Sequence, residues 1–321
     1  MKISVIFPTY NRAHILPMCI DSLINQNYPK SKYEVIVVDN NSTDNTKDVV
    51  HHYKNKYHET SIKYILEKMP GSGFARNTGA KNAKFEVLSF TDDDGILCKN
   101  WLTEISKVFQ KNSKVAAVAG KVVIKWDKKP PNWVKPYEWL LGALNYDEKI
   151  KYKKGLYINL GNLSIKKDVL FKLGGFNVDQ IGDRLIGNGE DELNERLWGA
   201  NYLIGWAPKA VMEHYQIVDK NATVKDIKRR YSNLGIATPY RLFAVQKKGC
   251  FSLLINLIKR TKAIIKNQIK WFYHFLKGNH EKKLFAIFQI SYNYSQIPYT
   301  FNIFFNNKFR KYLLNEEWKL K

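Results

Sequence analysis

The chain has 321 residues and a formal net charge of +23. With 45% hydrophobic and 25% charged residues it is not an intrinsically disordered chain, and it is long enough to bury a sizeable core. Its three cysteines, Cys19, Cys98 and Cys250, lie far apart, which excludes a disulfide scaffold or zinc-ligand cluster and points to a reducing compartment.

Ile3 to Phe7 is a β-branched run closed by Pro8, strand-like and too short for the apolar region of a signal peptide. Ile15, Leu16, Cys19, Ile20, Leu23 and Ile24 follow helical spacing. Tyr33 to Val38 reads as a second buried strand ending at Asp39, and the polar cluster Asn40 to Asp44 can cap the next helix. Ile62 to Leu66 reads as a strand, Gly73 to Ala83 as a helix and Glu86 to Thr91 as a strand. This alternation predicts an α/β fold, a mostly parallel sheet with helices on both faces. Such sheets bind ligands at the carboxyl ends of their strands. Thr9, Asn11, Asp39 and Asp92 to Asp94 fall there.

Residues 127 to 139, with Trp133, Pro136 and Trp139, read as an irregular loop. Ala210-Val211-Met212 is the last apparent core strand, with His214 just beyond it. From about Ile217 the pattern changes to long basic helices rich in aromatics. No apolar stretch approaches the roughly 20 residues a membrane-spanning helix needs.

Three patterns point to chemistry. Asp92-Asp93-Asp94 places three carboxylates at a strand end, where a cation or hydrogen-bond donors must relieve their repulsion. Magnesium and manganese take such oxygen ligands, and manganese also accepts imidazole. The alternative is a solvated acidic turn capping the helix at Trp101. Gly189-Glu190-Asp191-Glu192 opens a helix, where acidic residues suit the helix dipole, yet Gly187-Asn188-Gly189 also lets the backbone approach a ligand closely. His214 is either a structural histidine or a ligand.

The ordered motifs Phe7-Pro8-Thr9-Tyr10-Asn11-Arg12, Val38-Asp39-Asn40-Asn41-Ser42-Thr43-Asp44, Ala75-Arg76-Asn77-Thr78-Gly79, Asp92-Asp93-Asp94, Gly174-Gly175-Phe176 and Glu190-Asp191 resemble the signature of family 2 glycosyltransferases. The resemblance covers about residues 1 to 215 and implies the GT-A fold. It implies a nucleotide-sugar half in about 1 to 120 and an acceptor half in about 121 to 215. By that resemblance Pro8, Thr9, Tyr10 and Arg12 match the first nucleotide-contacting loop. Asp39 matches the carboxylate that reads the base, usually uracil, and Arg76 matches a donor-contacting arginine. Asp94 matches a metal ligand, Asp92 matches a ribose or donor-sugar contact, and Asp93 can share either task. His214 is similar in placement to a histidine that completes the metal shell in some relatives. Asp191 matches the catalytic base. The activity implied is inverting, metal-dependent transfer from a nucleotide diphosphate sugar, with a UDP-sugar favoured and Mn2+ or Mg2+ as cofactor. The product implied is cell-surface polysaccharide or glycolipid.

The charge is concentrated in the tail. Residues 216 to 321 hold 21 basic and 5 acidic side chains, a net of +16, and residues 1 to 215 hold 31 and 24, a net of +7. No acidic residue lies between Asp226 and Glu281. Leu254, Ile258, Ile265, Ile269, Phe272 and Leu276 share one helical face, with Lys259, Lys262, Lys266, Lys270 and Lys277 along its flank. Such a helix suits an anionic membrane surface or packs on the catalytic domain with its lysines solvated. The expectation is a cytoplasmic enzyme, peripheral on the inner face of the plasma membrane, with a glycan or lipid-linked acceptor. Trp133, Tyr137 and Trp139 are candidate sugar-stacking surfaces on the acceptor side.

Two other classes compete. A nucleotidyltransferase also uses paired aspartates and metal, but no Walker-type glycine-lysine motif is found, and it releases pyrophosphate rather than a nucleoside diphosphate. A non-catalytic, charge-driven nucleic-acid binder accounts for the tail but not for an acidic cluster that repels phosphates, so no nucleic-acid partner is expected.

Overall fold

The structure is a computed structural model and describes residues 1–177, 180–181, 184–185, 189–314 and 319–320. The amino-terminal half alternates β1 (Ile3–Thr9), α1 (Leu16–Ile24), β2 (Tyr33–Asp39), α2 (Thr46–Lys56), β3 (Ser61–Leu66), α3 (Ser72–Asn82) and β4 (Val87–Phe90). Then follow β5 (Gly95–Leu97), α4 (Trp101–Lys111), β6 (Val115–Trp126), a 3-10 segment (Asn132–Leu141), β7 (Lys151–Lys153), β8 (Leu163–Lys166) and α5 (Lys167–Lys172). A small ribbon of β9 (Gln180–Ile181) and β10 (Arg184–Leu185) precedes α6 (Gly189–Gly199) and the long β11 (Leu203–Gln216). The tail is helical: α7 (Val218–Asn221), α8 (Val224–Tyr240), α9 (Cys250–Leu276), α10 (His280–Phe305) and α11 (Asn307–Leu313).

The main sheet runs β3-β2-β1-β4-β8-β6-β11-β5, with β7 also on β11. β3, β2, β1 and β4 are mutually parallel, as the alternation predicts. β8 then runs antiparallel to both β4 and β6, and β11 runs parallel to β6. The register sets Thr9 opposite Asp39 and Ile6 opposite Phe90, so the first two loops and the acidic triplet emerge at one edge.

The sheet is covered on both faces. Ile3, Val5, Phe7, Val35 and Val37 point into a core with α1, α2 and α4, where Leu16, Val50 and Trp101 are fully buried. Ile6, Ile36 and Val38 point the other way, into a core with α3, α5 and α6. Successive residues of one strand thus serve opposite cores, which is why these strands read as continuous apolar runs.

The stretch expected as an irregular loop contains the ten-residue 3-10 segment, and that segment binds the tail to the sheet. Tyr137 packs between Tyr231 of α8 and Phe288 of α10, with ring centroids 6.1 and 5.1 Å away, and Trp133 lies 6.3 Å from Phe288. The chain also returns at its end: Leu320 is buried beside Phe176 and its N–H donates to the Gly174 carbonyl at 2.9 Å.

Candidate active site at the carboxyl ends of the strands

The loops after β1 and β2 are locked together. Asn11 and Asn41 adopt left-handed conformations, with φ of 52° and 67°, which asparagine tolerates better than other non-glycine residues. The Asn11 N–H donates to Ser42 Oγ at 2.9 Å, and the Thr43 N–H donates to Asn11 Oδ1 at 2.7 Å. Asp44 accepts from the Ala13 N–H and from Thr46. Asp39 is buried; its Oδ1 accepts from the Ser42 N–H at 2.8 Å and its Oδ2 from the Tyr64 hydroxyl at 2.7 Å. Burial and then the Asp39 carboxylate push the Tyr64 hydroxyl up, so it remains a donor. Pro8 is half-buried, Thr9 is buried and Tyr10 is exposed above the rim.

The acidic triplet leaves β4 and turns at once into β5, whose Gly95 pairs with His214 of β11. This short antiparallel pairing carries the triplet to the histidine. Arg76 of α3 donates from Nη2 to Asp92 Oδ1 at 2.7 Å and from Nη1 to Ser72 Oγ at 2.9 Å. Arg12 Nη1 bridges Asp93 Oδ1 at 2.9 Å and Asp94 Oδ2 at 2.7 Å. Gly161 presses on the same cluster: a Cβ there would lie 2.6 Å from Asp92 Oδ2.

The three carboxyls differ in environment. Burial raises the Asp93 carboxyl to about 6, with its acidic neighbours adding to the shift and Arg12 opposing it. Burial also pushes Asp94 upward, but contacts with His214 and Arg12 outweigh it and hold the carboxyl below its usual range. For His214 burial favours the neutral ring, and the Asp94 contact outweighs that and favours the charged one.

His214 Nδ1 lies 2.7 Å from the Leu141 carbonyl, an acceptor, so Nδ1 carries the proton. Nε2 lies 3.0 Å from Asp94 Oδ1. With a neutral ring, a lone pair faces a buried carboxylate oxygen that has no hydrogen-bond donor. Asp92, Asp94 and His214 present ligand atoms all within 4.8 Å of one another. Two carboxylates and an imidazole with its second nitrogen fixed on a carbonyl fit a divalent cation.

The helix that carries the expected base is α6. Leu193 and Leu197 bury its inner side, Asn194 exchanges hydrogen bonds with both backbone groups of Ile158 at 2.8 and 2.9 Å, and Glu192 accepts from the Tyr240 hydroxyl at 3.1 Å. The helix start is therefore held on both sides. The side chains of Glu190 and Asp191, in the first turn of α6, lie outside the described residues.

The family model for glycosyl transferase family 2 matches residues 4–174. The chain belongs to glycosyl transferase family 2. It is 31% identical over 213 residues to the glycosyltransferase AglE of Haloferax volcanii, a match spanning 66% of each protein. Among solved structures it resembles the mannosyltransferase PcManGT from Pyrobaculum calidifontis in complex with GDP-Man and Mn2+, with TM-score 0.56 and 23% identity over 74% of this chain and 62% of that one. It also resembles Staphylococcus aureus TarS 1–349 in complex with UDP, with TM-score 0.54 and 18% identity over 92% of each chain. The likeness to the two structures is one of fold, and that fold is GT-A.

For this family 2 chain, the residues expected at the site mostly converge. Thr9, Arg12, Asp39, Arg76, the triplet and His214 gather at one end of the sheet, although they come from five separate stretches of sequence. Asp92, expected as a sugar contact, also stands among the candidate metal ligands. Sequence reasoning did not find Tyr64 or the Leu141 carbonyl. The first lies mid-strand, and the second is a backbone group that no residue type marks.

The acceptor-side aromatics divide. Trp133 and Tyr137 pack in the core that joins the segment to the tail, whereas Trp139 is 50% exposed. Trp139 borders an open cleft of about 450 Å³ with Pro136, Tyr231, Phe285, Gln289 and Tyr292.

Proposed function

We propose that the protein transfers a sugar from a nucleoside diphosphate sugar, with UDP favoured, to a hydroxyl of a glycan or lipid-linked acceptor, with inversion at the anomeric carbon. The observation that carries this reading is the convergence of Asp92, Asp94 and His214 beside Arg12 at the carboxyl ends of the strands. Asp92, Asp94 and His214 would hold a divalent cation, whose chemistry there is to neutralise the charge developing on a departing nucleoside diphosphate.

The protein's own groups have separate tasks. Asp39, anchored by Ser42 and Tyr64, retains lone pairs for an N–H of the base. Pro8, Thr9 and Tyr10 form the wall beside it. Arg12 uses only Nη1 on the carboxylates among the described residues, which leaves most of its planar fork for the diphosphate. Asp93, whose carboxyl is pushed up by burial, lies under Arg12 and helps to aim it. Arg76 spends its fork on Ser72 and Asp92, so it acts chiefly by positioning Asp92 toward the donor. Asp191 takes the proton of the acceptor hydroxyl as the new C–O bond forms, on the face opposite the breaking bond to the diphosphate. A single in-line displacement of this kind inverts the centre.

The acceptor reaches the site past the 3-10 segment, where Trp139 offers a ring for a sugar face. TarS is named a poly(ribitol-phosphate) β-N-acetylglucosaminyltransferase, which is consistent with an acceptor of the cell-surface polymer class. No helix among the described residues is long and apolar enough to cross a membrane. The basic tail instead suits work on the inner surface of the plasma membrane.

A thermal-shift panel of UDP, GDP, dTDP and their sugars, each with and without manganese, tests the reading. A manganese-dependent shift with one nucleotide, followed by release of that nucleoside diphosphate from its sugar, is the expected result. No shift with any of them, or release of pyrophosphate, overturns it.

A further inference from the structure

Helix α9 buries Leu253 and half-buries Leu257, Ile264 and Trp271 on its inward side, yet carries a second apolar stripe that faces outward. Against α10 it presents Asn256, whose Nδ2 donates to Gln296 Oε1 at 3.2 Å, and Arg260, whose Nη1 donates to Asn293 Oδ1 at 3.2 Å. On the opposite side Leu254, Ile258, Ile265, Ile269, Phe272 and Leu276 are between 46% and 67% exposed. A helix belonging wholly to a soluble domain carries one apolar stripe, pointed at the core, with polar residues on the opposite side. The stripe runs nearly the length of a helix of 27 residues, about 40 Å at the α-helical rise. Isolated apolar side chains on a surface are ordinary, but a continuous stripe of this length marks an interaction face.

Charge identifies the partner. Lys259, Lys266, Lys270 and Lys277 line one flank of the stripe and Lys262 lies within it, all exposed. Among the described residues none of the five is paired with a carboxylate. A second copy of the chain would bring the same lysines to the face and no acidic residue from 227 to 280 to meet them. An anionic bilayer supplies both requirements, phosphate charge at headgroup level and hydrocarbon just beneath it.

We propose that the outward face of α9 lies flat in the interface of an anionic membrane, with the isoleucines and phenylalanine in the acyl boundary and the lysines at the headgroups. The helix is then a docking element held on the enzyme by its inward side, through buried Leu253 and the hydrogen bonds of Asn256 and Arg260. This extends the functional reading by fixing where an acceptor with a lipid anchor is met, and it rests on the helix rather than on the reaction.

The test is flotation of the full-length protein with phosphatidylcholine vesicles, with and without phosphatidylglycerol, which needs neither donor nor activity. The protein should float with the phosphatidylglycerol vesicles, remain behind with pure phosphatidylcholine, and be released by high salt. Replacing Lys259, Lys262, Lys266 and Lys270 by Gln should weaken partitioning by about fivefold per lysine. Ile258→Ser with Ile265→Ser and Ile269→Ser should weaken it by at least about tenfold at an unchanged melting temperature, because all three side chains already face solvent. Failure of the wild type to float, equal flotation with neutral vesicles, or full flotation of the triple serine variant overturns the proposal. So does a dimer in light scattering that the serine variant dissociates, without flotation, since that assigns the face to a second copy.

Discussion

His214 Nε2 lies 3.0 Å from Asp94 Oδ1 while the other ring nitrogen is tied to the Leu141 carbonyl. The ring therefore cannot turn away from the carboxylate without losing a hydrogen bond, and its Nε2 is held facing the acidic cluster. Replacing it with glutamine keeps a donor for Leu141 but removes the imidazole lone pair. His214→Gln is expected to weaken manganese binding by at least about tenfold. Titration calorimetry with manganese in the presence of UDP measures this, and an unchanged affinity removes His214 from the ligand set.

Asp94→Asn and Asp191→Asn should separate binding from chemistry. Asp94 stands among the candidate metal ligands, so its variant should lose the manganese-dependent nucleotide shift together with transfer. Asp191 is assigned only the acceptor proton, a task worth about 10²–10⁴ in rate. Its asparagine variant should keep the nucleotide shift and lose transfer by that factor. Transfer at the wild-type rate by Asp191→Asn would show that the base lies elsewhere.

Gly161 constrains the cluster from beneath. Its missing side chain is where a Cβ would lie 2.6 Å from Asp92 Oδ2 and 3.0 Å from Asn159 Oδ1. Gly161→Ala must push Asp92 off the position that Arg76 holds. Displacements of this order at a site cost about tenfold to a hundredfold. We expect that loss in manganese-dependent nucleotide affinity, with thermal stability lowered by about 1–3 kcal/mol at most. Unchanged affinity would mean that Asp92 is not a positioned ligand.

Much of the amino-terminal half was legible because β1 and β2 are buried on both faces. Ile3 to Phe7, Tyr33 to Val38 and Ile62 to Leu66 read as strands from their apolar runs, and each lies within an observed strand. The loops beyond them carry polar residues that a buried strand end does not otherwise need. β5 was not legible, since three residues show no periodicity and its pairing partner His214 lies more than a hundred positions away. For Trp133 and Tyr137, ring content alone does not separate a sugar platform from a core contact; the packing of Phe288 on both decides for the core. The amphipathic pattern of α9 was plain, but which side faces inward depends on Gln296 and Asn293, contributed by another helix.

The last prediction concerns the end of the sheet opposite the site. Glu34 of β2 is almost fully buried, yet its Oε1 accepts from the Ser4 hydroxyl and the Lys84 N–H, both at 2.6 Å, and its Oε2 lies 2.7 Å from Lys63 Nζ. Burial pushes the carboxyl up, but the bonds from Lys63, Ser4 and Lys84 outweigh it and hold the group below its ordinary value. A carboxyl with a depressed folded value binds its proton more readily in the unfolded chain. Its contribution to stability is therefore complete above the unfolded value, about 4.3, and is lost as pH falls through the lower folded value. Glu34→Gln removes the charge and leaves a poorer acceptor set for three donors. We expect it to cost about 1–3 kcal/mol at neutral pH and to flatten the fall in stability below about pH 4.3. Urea unfolding of both proteins at neutral and acid pH measures the two effects together. Parallel acid limbs for wild type and variant would show that Glu34 is protonated alike in the folded and unfolded chains.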